Sequence, residues 1–289
     1  MPIAGKFALG VFPDVANGVE AVDVLNKEIF ALRGHLLTGF GDIPALSKII
    51  EFLGHNALYP CRFCLILAIQ GRTSGGGTHL YCPLHQGKDA PIDPLNLPLR
   101  THRETLRQGT EVLQAPTENA RANLAKKYGV KGVSLFARLP SIDLPRSFPA
   151  EVMHMVWINL IPQLADLWTG KFNGLDDGTE SYLIQPRLWE ALGDLCDNSG
   201  ATIPSTFGCR VPHLSKRSQF IAASWCIWAT QLAPNLLRRR FLNSTYYVHF
   251  VLLVNLMKEC MDYSMLRKDL PRIREGFAKW VKDYERYVF

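Results

Sequence analysis

Residues 35–64, HLLTGFGDIPALSKIIEFLGHNALYPCRFC, decide how the chain is read. Leu36, Leu37 and Phe40 form a short apolar run ending at Gly41. This predicts a strand over 35–40 that delivers Asp42 to the mouth of a helix from about Ile43 to Leu53. Two roles compete for Asp42. A carboxylate just ahead of a first turn containing Pro44 is an ordinary helix cap. A carboxylate at the C-terminal end of a strand is also where α/β nucleases hold hard divalent ions through oxygen ligands.

The same stretch ends in Cys61-x2-Cys64, and Cys82-x2-His85 follows after a Gly/Ser-rich loop. Two chelating pairs at this spacing predict a tetrahedral Cys3His Zn2+ site of Cys61, Cys64, Cys82 and His85, with Gly75 to Gly77 giving the loop freedom to close it. His55 and His79 are competing ligands, and His79 could replace Cys82 or His85. The other account makes Cys61 and Cys64 small core residues. Four protein ligands leave no position for water, so such a zinc is structural.

Upstream, Lys6 to Phe12 reads as a strand, and Gly18 to Leu32 as a helix with Val19, Val22, Leu25, Ile29 and Leu32 at helical spacing. With 35–40 this gives the strand-helix-strand-helix order of a mixed sheet. Downstream, Pro91, Pro94 and Pro98 interrupt any helix, after which THRETLRQGTEVLQ and ENARANLAKKYGV read as two amphipathic helices. A helix is expected from Ser147, with Pro149 and Glu151 in its first turn, an apolar face through Met153, Val156, Trp157, Leu160, Leu164 and Leu167, and a kink at Pro162. Further helices are expected over 187–195, 218–232, 235–258 and 272–288. The resulting fold class is α/β and mostly helical, with segments 1–60 (βαβα), 61–90 (zinc knuckle), 91–146 (helical insertion) and 147–289 (helical, basic towards its end).

A chain of 289 residues with 47% hydrophobic residues has enough apolar mass for a substantial core. Seven cysteines, an odd number, in a chain whose start MPIAGKFALG lacks a signal-peptide pattern fit reduced thiols better than a disulfide framework. The longest apolar run, Tyr246 to Met257, is too short to span a bilayer and carries His249 and Asn255, so no membrane partner is expected. From Ser205 onward the formal charge is +8, against −2 before it. A basic C-terminal third suits a polyanion such as DNA, although a solvated helical surface has the same composition. No Gly-rich phosphate loop, Rossmann fingerprint or Ser-His-Asp order is present.

The block GDIPALSKIIEFLGHNALYPCRFC resembles the second catalytic block of CACTA-like transposases, particularly the Plavaka-type elements of mushroom-forming fungi. LPLRTH (97–102), SFPAEVMHMVWINL (147–160), LWTGKF (167–172), IPSTFG (203–208) and the terminal KWVKDYERYVF follow in that family's order. The resemblance implies an RNase H-like core, nuclear localisation, DNA as substrate and two-metal strand cleavage and transfer with Mg2+. It assigns Asp42 as one metal-binding carboxylate and the Met153-His154 block to the helix that carries the third. It also implies that Asp42 lies beside the helix bearing Glu151 and His154.

The chain departs from the family at that helix. Where the family has a Glu-Asn pair, this sequence has Ile158-Asn159. Glu151 is the nearby carboxylate that could stand in, unless it is simply an acid placed well for the helix dipole. His154 then either orients a ligand or is a satisfied half-buried histidine. The family's first aspartate belongs to a strand expected upstream of Met1, and neither Asp14 nor Asp23 occupies an equivalent place. The expectation is therefore a transposase fragment, shortened at both ends and inactive alone, with an open sheet edge that favours homo-oligomers. The alternative expectation is a non-enzymatic, zinc-stabilised module that binds DNA or a protein.

Overall fold

A computed structural model describes residues 18–72, 78–86, 90–172, 179–204, 206 and 208–288. The chain is α/β and mostly helical, and it divides into two compact units, Met1–Ile69 with Leu97–Glu151 and Gln70–Asn96 with Val152–Phe289. The strand expected over Lys6–Phe12, Asp14 and the Gly75–Gly77 turn lie outside the described residues. Among the described residues the sheets are two separate two-stranded pairs.

In the first unit, β1 (Val19–Val22) pairs antiparallel with β2 (Ile29–Leu32), Val19 opposite Leu32 and Val22 opposite Ile29. This corrects the helix expected over Gly18–Leu32. Val19, Val22 and Ile29 suit either period, and the turn decides. The Asp23 carboxylate accepts the N–H groups of Leu25 at 2.7 Å and Asn26 at 2.9 Å, and Lys27 takes a left-handed φ of 58°. A local carboxylate that captures two backbone donors competes directly with helix formation.

Residues 33–42 form no helix and join no sheet, which corrects the strand expected over 35–40. Their backbone is held by the stretch before Glu151 instead. Gly39 N–H donates to the Ser147 carbonyl at 2.8 Å, Thr38 Oγ1 donates to the same oxygen at 3.0 Å, and Ser141 Oγ donates to the Leu36 carbonyl at 2.7 Å. Helix α1 (Ile43–Ile49) buries Leu46, and with Ile50, Phe52, Val130, Leu144 and Phe148 it forms the core of this unit. Helices α2 (His102–Leu113) and α3 (Glu118–Tyr128) start where the sequence says they should. Thr101 and Thr117 cap them, and Gly129 at φ 72° ends α3.

In the second unit, a π-helical segment (Met153–Leu160) runs into α4 (Ile161–Trp168). Pro162 has no N–H to donate. The backbone meets this by slipping one residue, so that Ile161 N–H bonds Val156 O five residues back. The helix begins only at Val152, leaving Pro149 and Glu151 ahead of it rather than in its first turn. Arg62 explains the late start on the first unit's side of that boundary, since its guanidinium binds the carbonyls of Phe148 at 2.8 Å and Pro149 at 2.6 Å and holds them out of helical bonding.

The second unit continues with β3 (Ile69–Arg72, whose first residue closes the first unit), β4 (Thr78–Tyr81), α5 (Pro186–Ser199), α6 (Ala222–Ile227), a π turn (Trp228–Leu232), α7 (Ala233–Leu236), α8 (Ser244–Cys260) and α9 (Leu270–Val288). The single helix expected over 235–258 is broken at 237–243. Arg239 adopts φ 61° there, and Asn243 then caps α8. The core is aromatic. Trp168 meets Phe250 edge-on at 5.3 Å, and Trp225 meets Trp228 at 5.5 Å.

Candidate functional site

Asp42 is the N-cap of α1, and its Oδ1 accepts the Ala45 N–H at 2.6 Å. The Gly39–Ser147 hydrogen bond draws the chain before Asp42 alongside the chain before Glu151, so these two sequence blocks meet within one unit. His154 belongs to the second unit, half-buried in the π segment, where its carbonyl accepts the Asn159 side-chain amide. Ile158, at the family's glutamate position, is exposed.

Cys61 and Cys64 come together in the first unit. The contact with the Cys64 thiol is the main influence bringing Cys61 down to about 6 from its ordinary 9.0, the N–H groups of Phe63 and Cys64 and the charge of Arg100 assist, and burial opposes. The Phe63 N–H reaches Cys61 Sγ at 3.3 Å. N–H groups directed at a cysteine sulfur favour the thiolate that metal binding requires. Cys82 and His85 fall in the second unit and are exposed. The stretch read as one knuckle, 61–90, is thus shared between the two units. His85 lines an open groove of ≈ 490 Å3 with Tyr81, Leu84, Lys282, Glu285 and Arg286.

Among the described residues, no group of three or more His, Cys, Asp or Glu side chains is placed to hold a metal ion. Asp42, Glu151 and His154 therefore do not form the oxygen-rich cage that a pair of Mg2+ ions needs. Cys61 and Cys64 meet as a pair, and the four-ligand group expected with Cys82 and His85 is not assembled among the described residues.

Two residues beside the cysteines escaped the sequence reading. Arg62 sits between them in sequence, and Arg100 lies within the LPLRTH block. Arg100 donates from Nε to the Cys61 carbonyl at 3.0 Å and from Nη1 to the Tyr128 carbonyl at 3.0 Å. Burial lowers the pKa of both guanidiniums, and the charge of Cys61 opposes this in each. The signal in the sequence was one basic residue inside a cysteine pair and another just after a proline-rich stretch.

In the basic third, many cations are already paired. Arg272 meets Glu259, Lys279 meets Asp283, and Lys282 lies 3.3 Å from Asp93. Arg238, Arg239 and Arg240 are consecutive and exposed at the break before α8. Among the described residues none of the three meets a carboxylate. Among the described residues no helix is long and apolar enough to cross a membrane. No protein-family model matches the chain, and no curated protein or solved structure is detectably similar to it.

Proposed function

We propose that the chain derives from the catalytic region of a CACTA-like DNA transposase, with an RNase H-like parent core, and that it binds DNA without cleaving it by itself. The observation that carries this is the pairing of Gly39 with Ser147, because it joins the Asp42 block to the start of the SFPAEVMHMVWINL block (147–160), the two blocks that the family brings to one site. The parent chemistry uses paired Mg2+ ions to activate the attacking oxygen and to stabilise the leaving one. The described residues do not fit such a pair. Asp42 is engaged as a helix cap, Ile158 offers no oxygen, and no third ligand joins them.

The structural metal in this reading is Zn2+ on Cys61, Cys64, Cys82 and His85. The convergence of Cys61 and Cys64 and the N–H bond to Cys61 Sγ support it. DNA would be met by phosphate contacts, first from Arg238, Arg239 and Arg240, and the setting is nuclear. A second reading, a non-enzymatic binding module that keeps the zinc and the basic surface, gains support from the engagement of Asp42 as a helix cap. Binding to a DNA duplex measured across salt concentrations tests the first step of both. The slope of log affinity against log salt is expected to reflect several phosphates and to fall by about two to three in an Arg238→Ala/Arg239→Ala/Arg240→Ala variant. Absence of salt-dependent binding in the intact chain would remove DNA as the partner.

A further inference from the structure

Arg239 holds a left-handed backbone, φ 61°, in the middle of the exposed run Arg238–Arg240. That region favours glycine and, after it, asparagine and aspartate, whose short side chains bond the local backbone. An arginine has a Cβ that crowds the following carbonyl and no short polar group to offset it, so the conformation is strained. Such strain persists only where the surroundings fix the backbone.

Both sides of the run supply that constraint. Leu237 is fully buried just before it, and the Leu237 carbonyl accepts the Arg240 N–H at 3.1 Å to close the turn. Phe241 is buried just after it, edge-on to Trp168 at 5.3 Å. The Tyr247 hydroxyl donates to the Pro234 carbonyl at 2.7 Å, which ties the first turn of α8 to α7. Two buried anchors are thus joined by three arginines on the surface. A glycine at 239 would make the same connection without strain, so the fold itself gains nothing from an arginine there. Three adjacent like charges also repel one another. Arg210, Arg217 and Arg272 of the same unit each pair with a carboxylate, whereas among the described residues no carboxylate meets Arg238, Arg239 or Arg240.

We propose that the turn from Leu237 to Phe241 is a strained polyanion-binding device, in which Arg239 is held left-handed, at a cost to stability, so that three consecutive guanidiniums meet the phosphates of a DNA duplex as one cluster. The counter-charge that the chain does not provide comes from the phosphates. The inference rests on the DNA reading and adds to it the residue at which stability is exchanged for binding.

Two variants test it, Arg239→Gly and Arg238→Gly, each compared with the wild-type chain by its urea midpoint, followed by tryptophan fluorescence, and by its affinity for a DNA duplex across salt concentrations. Both lose one cation from an exposed position. Arg239→Gly is expected to raise the midpoint above wild type, because glycine takes a left-handed φ without strain. Arg238→Gly should lower it, because glycine there only adds freedom to the unfolded chain. Both should lower the slope of log affinity against log salt by about one, so that the stabilised variant is the weaker binder. An Arg239→Gly midpoint no higher than that of wild type would overturn the proposal and leave the DNA reading intact. A rise in Arg238→Gly as large as in Arg239→Gly would trace the gain to relieved charge repulsion rather than to the backbone, and overturn it too. So would a higher midpoint with an unchanged slope, since the strained residue would then meet no phosphate. A wild-type chain without salt-dependent binding removes the DNA reading, and the proposal with it, whatever the midpoints.

Discussion

His249 on α8 and Trp280 on α9 bond each other in both directions. The His249 Nε2–H faces the Trp280 carbonyl at 2.9 Å, the Trp280 indole N–H donates to the His249 carbonyl at 3.1 Å, and the two rings stack at 4.6 Å. Each side chain thus satisfies the other's backbone, which fixes the register of the two longest helices. Burial lowers the His249 pKa from its ordinary 6.5, and Lys279 adds to this, against the Trp280 carbonyl and Asp283. The unfolded chain therefore takes up this proton at a higher pH than the folded one. The contribution to stability is complete above about pH 6.5 and is lost as the pH falls towards the folded value. The urea midpoint is expected to drop between pH 7 and 5. His249→Gln, which keeps a donor for the carbonyl and removes the titration, should flatten that drop, whereas His249→Ala should cost about 3 kcal/mol at pH 7.5. An unchanged pH profile in the Gln variant would show that another group is responsible.

Among the described residues the Asp42 carboxylate accepts one backbone N–H, that of Ala45 at the start of α1. Asp42→Ala should cost about 1 kcal/mol, and Asp42→Ser only a few tenths, since a hydroxyl caps nearly as well as a carboxylate. Millimolar Mg2+ should leave the wild-type melting temperature unchanged. A rise with Mg2+ that disappears in Asp42→Ala would show a metal at this carboxylate.

Gly109 lies in α2 where a Cβ would meet the Gly132 carbonyl oxygen at 2.3 Å. Alanine is normally better than glycine inside a helix by about 1 kcal/mol. Here the clash is with backbone and outweighs that gain, so Gly109→Ala should lose about 2 kcal/mol or more. Gly276→Ala in α9 is the comparison. Its Cβ would meet the far end of the flexible Leu256 side chain at 2.6 Å rather than backbone, and its cost should be clearly smaller. Equal urea midpoints for the two variants would mean that α2 shifts away from Gly132 freely.

What could be read in the sequence was whatever depended on neighbours in the chain. Thr101, Thr117 and Gly129 mark the ends of α2 and α3 by local chemistry, and both helices lie where they were expected. The Cys-x2-Cys spacing likewise foretold that Cys61 and Cys64 would meet. The hairpin was missed because Val19, Val22 and Ile29 satisfy a period of two as well as one of 3.6, and one Asp23 carboxylate tipped the balance. The break before α8 was hidden because arginine is a good helix former, and nothing local announces the left-handed Arg239. Arg62 and Arg100 were invisible for a different reason. Arginines are rarely buried, and only the fold shows that these two are buried with their guanidiniums on backbone carbonyls.

The last prediction concerns the chemistry of the parent family. Neither the wild-type chain nor Ile158→Glu is expected to nick supercoiled plasmid in Mg2+ or Mn2+. The glutamate would restore one oxygen ligand, and position 158 is exposed, so the variant should fold. One added carboxylate still leaves too few ligands. A hard divalent ion needs near-octahedral oxygen coordination, and two-metal cleavage needs a pair of ions about 4 Å apart, each held well enough to position the attacking water. Asp42 is committed to the Ala45 N–H, Glu151 precedes its helix, and no described group of three ligands stands ready to receive a fourth. Plasmid relaxation by wild type, Ile158→Glu, Asp42→Ala and Glu151→Gln, run side by side at equal concentration, decides the matter. Metal-dependent nicking by the wild-type chain that vanishes in Asp42→Ala and falls at least 100-fold in Glu151→Gln would mean that these carboxylates do assemble a working centre on DNA. The assignment of Asp42 as a helix cap alone would then be wrong.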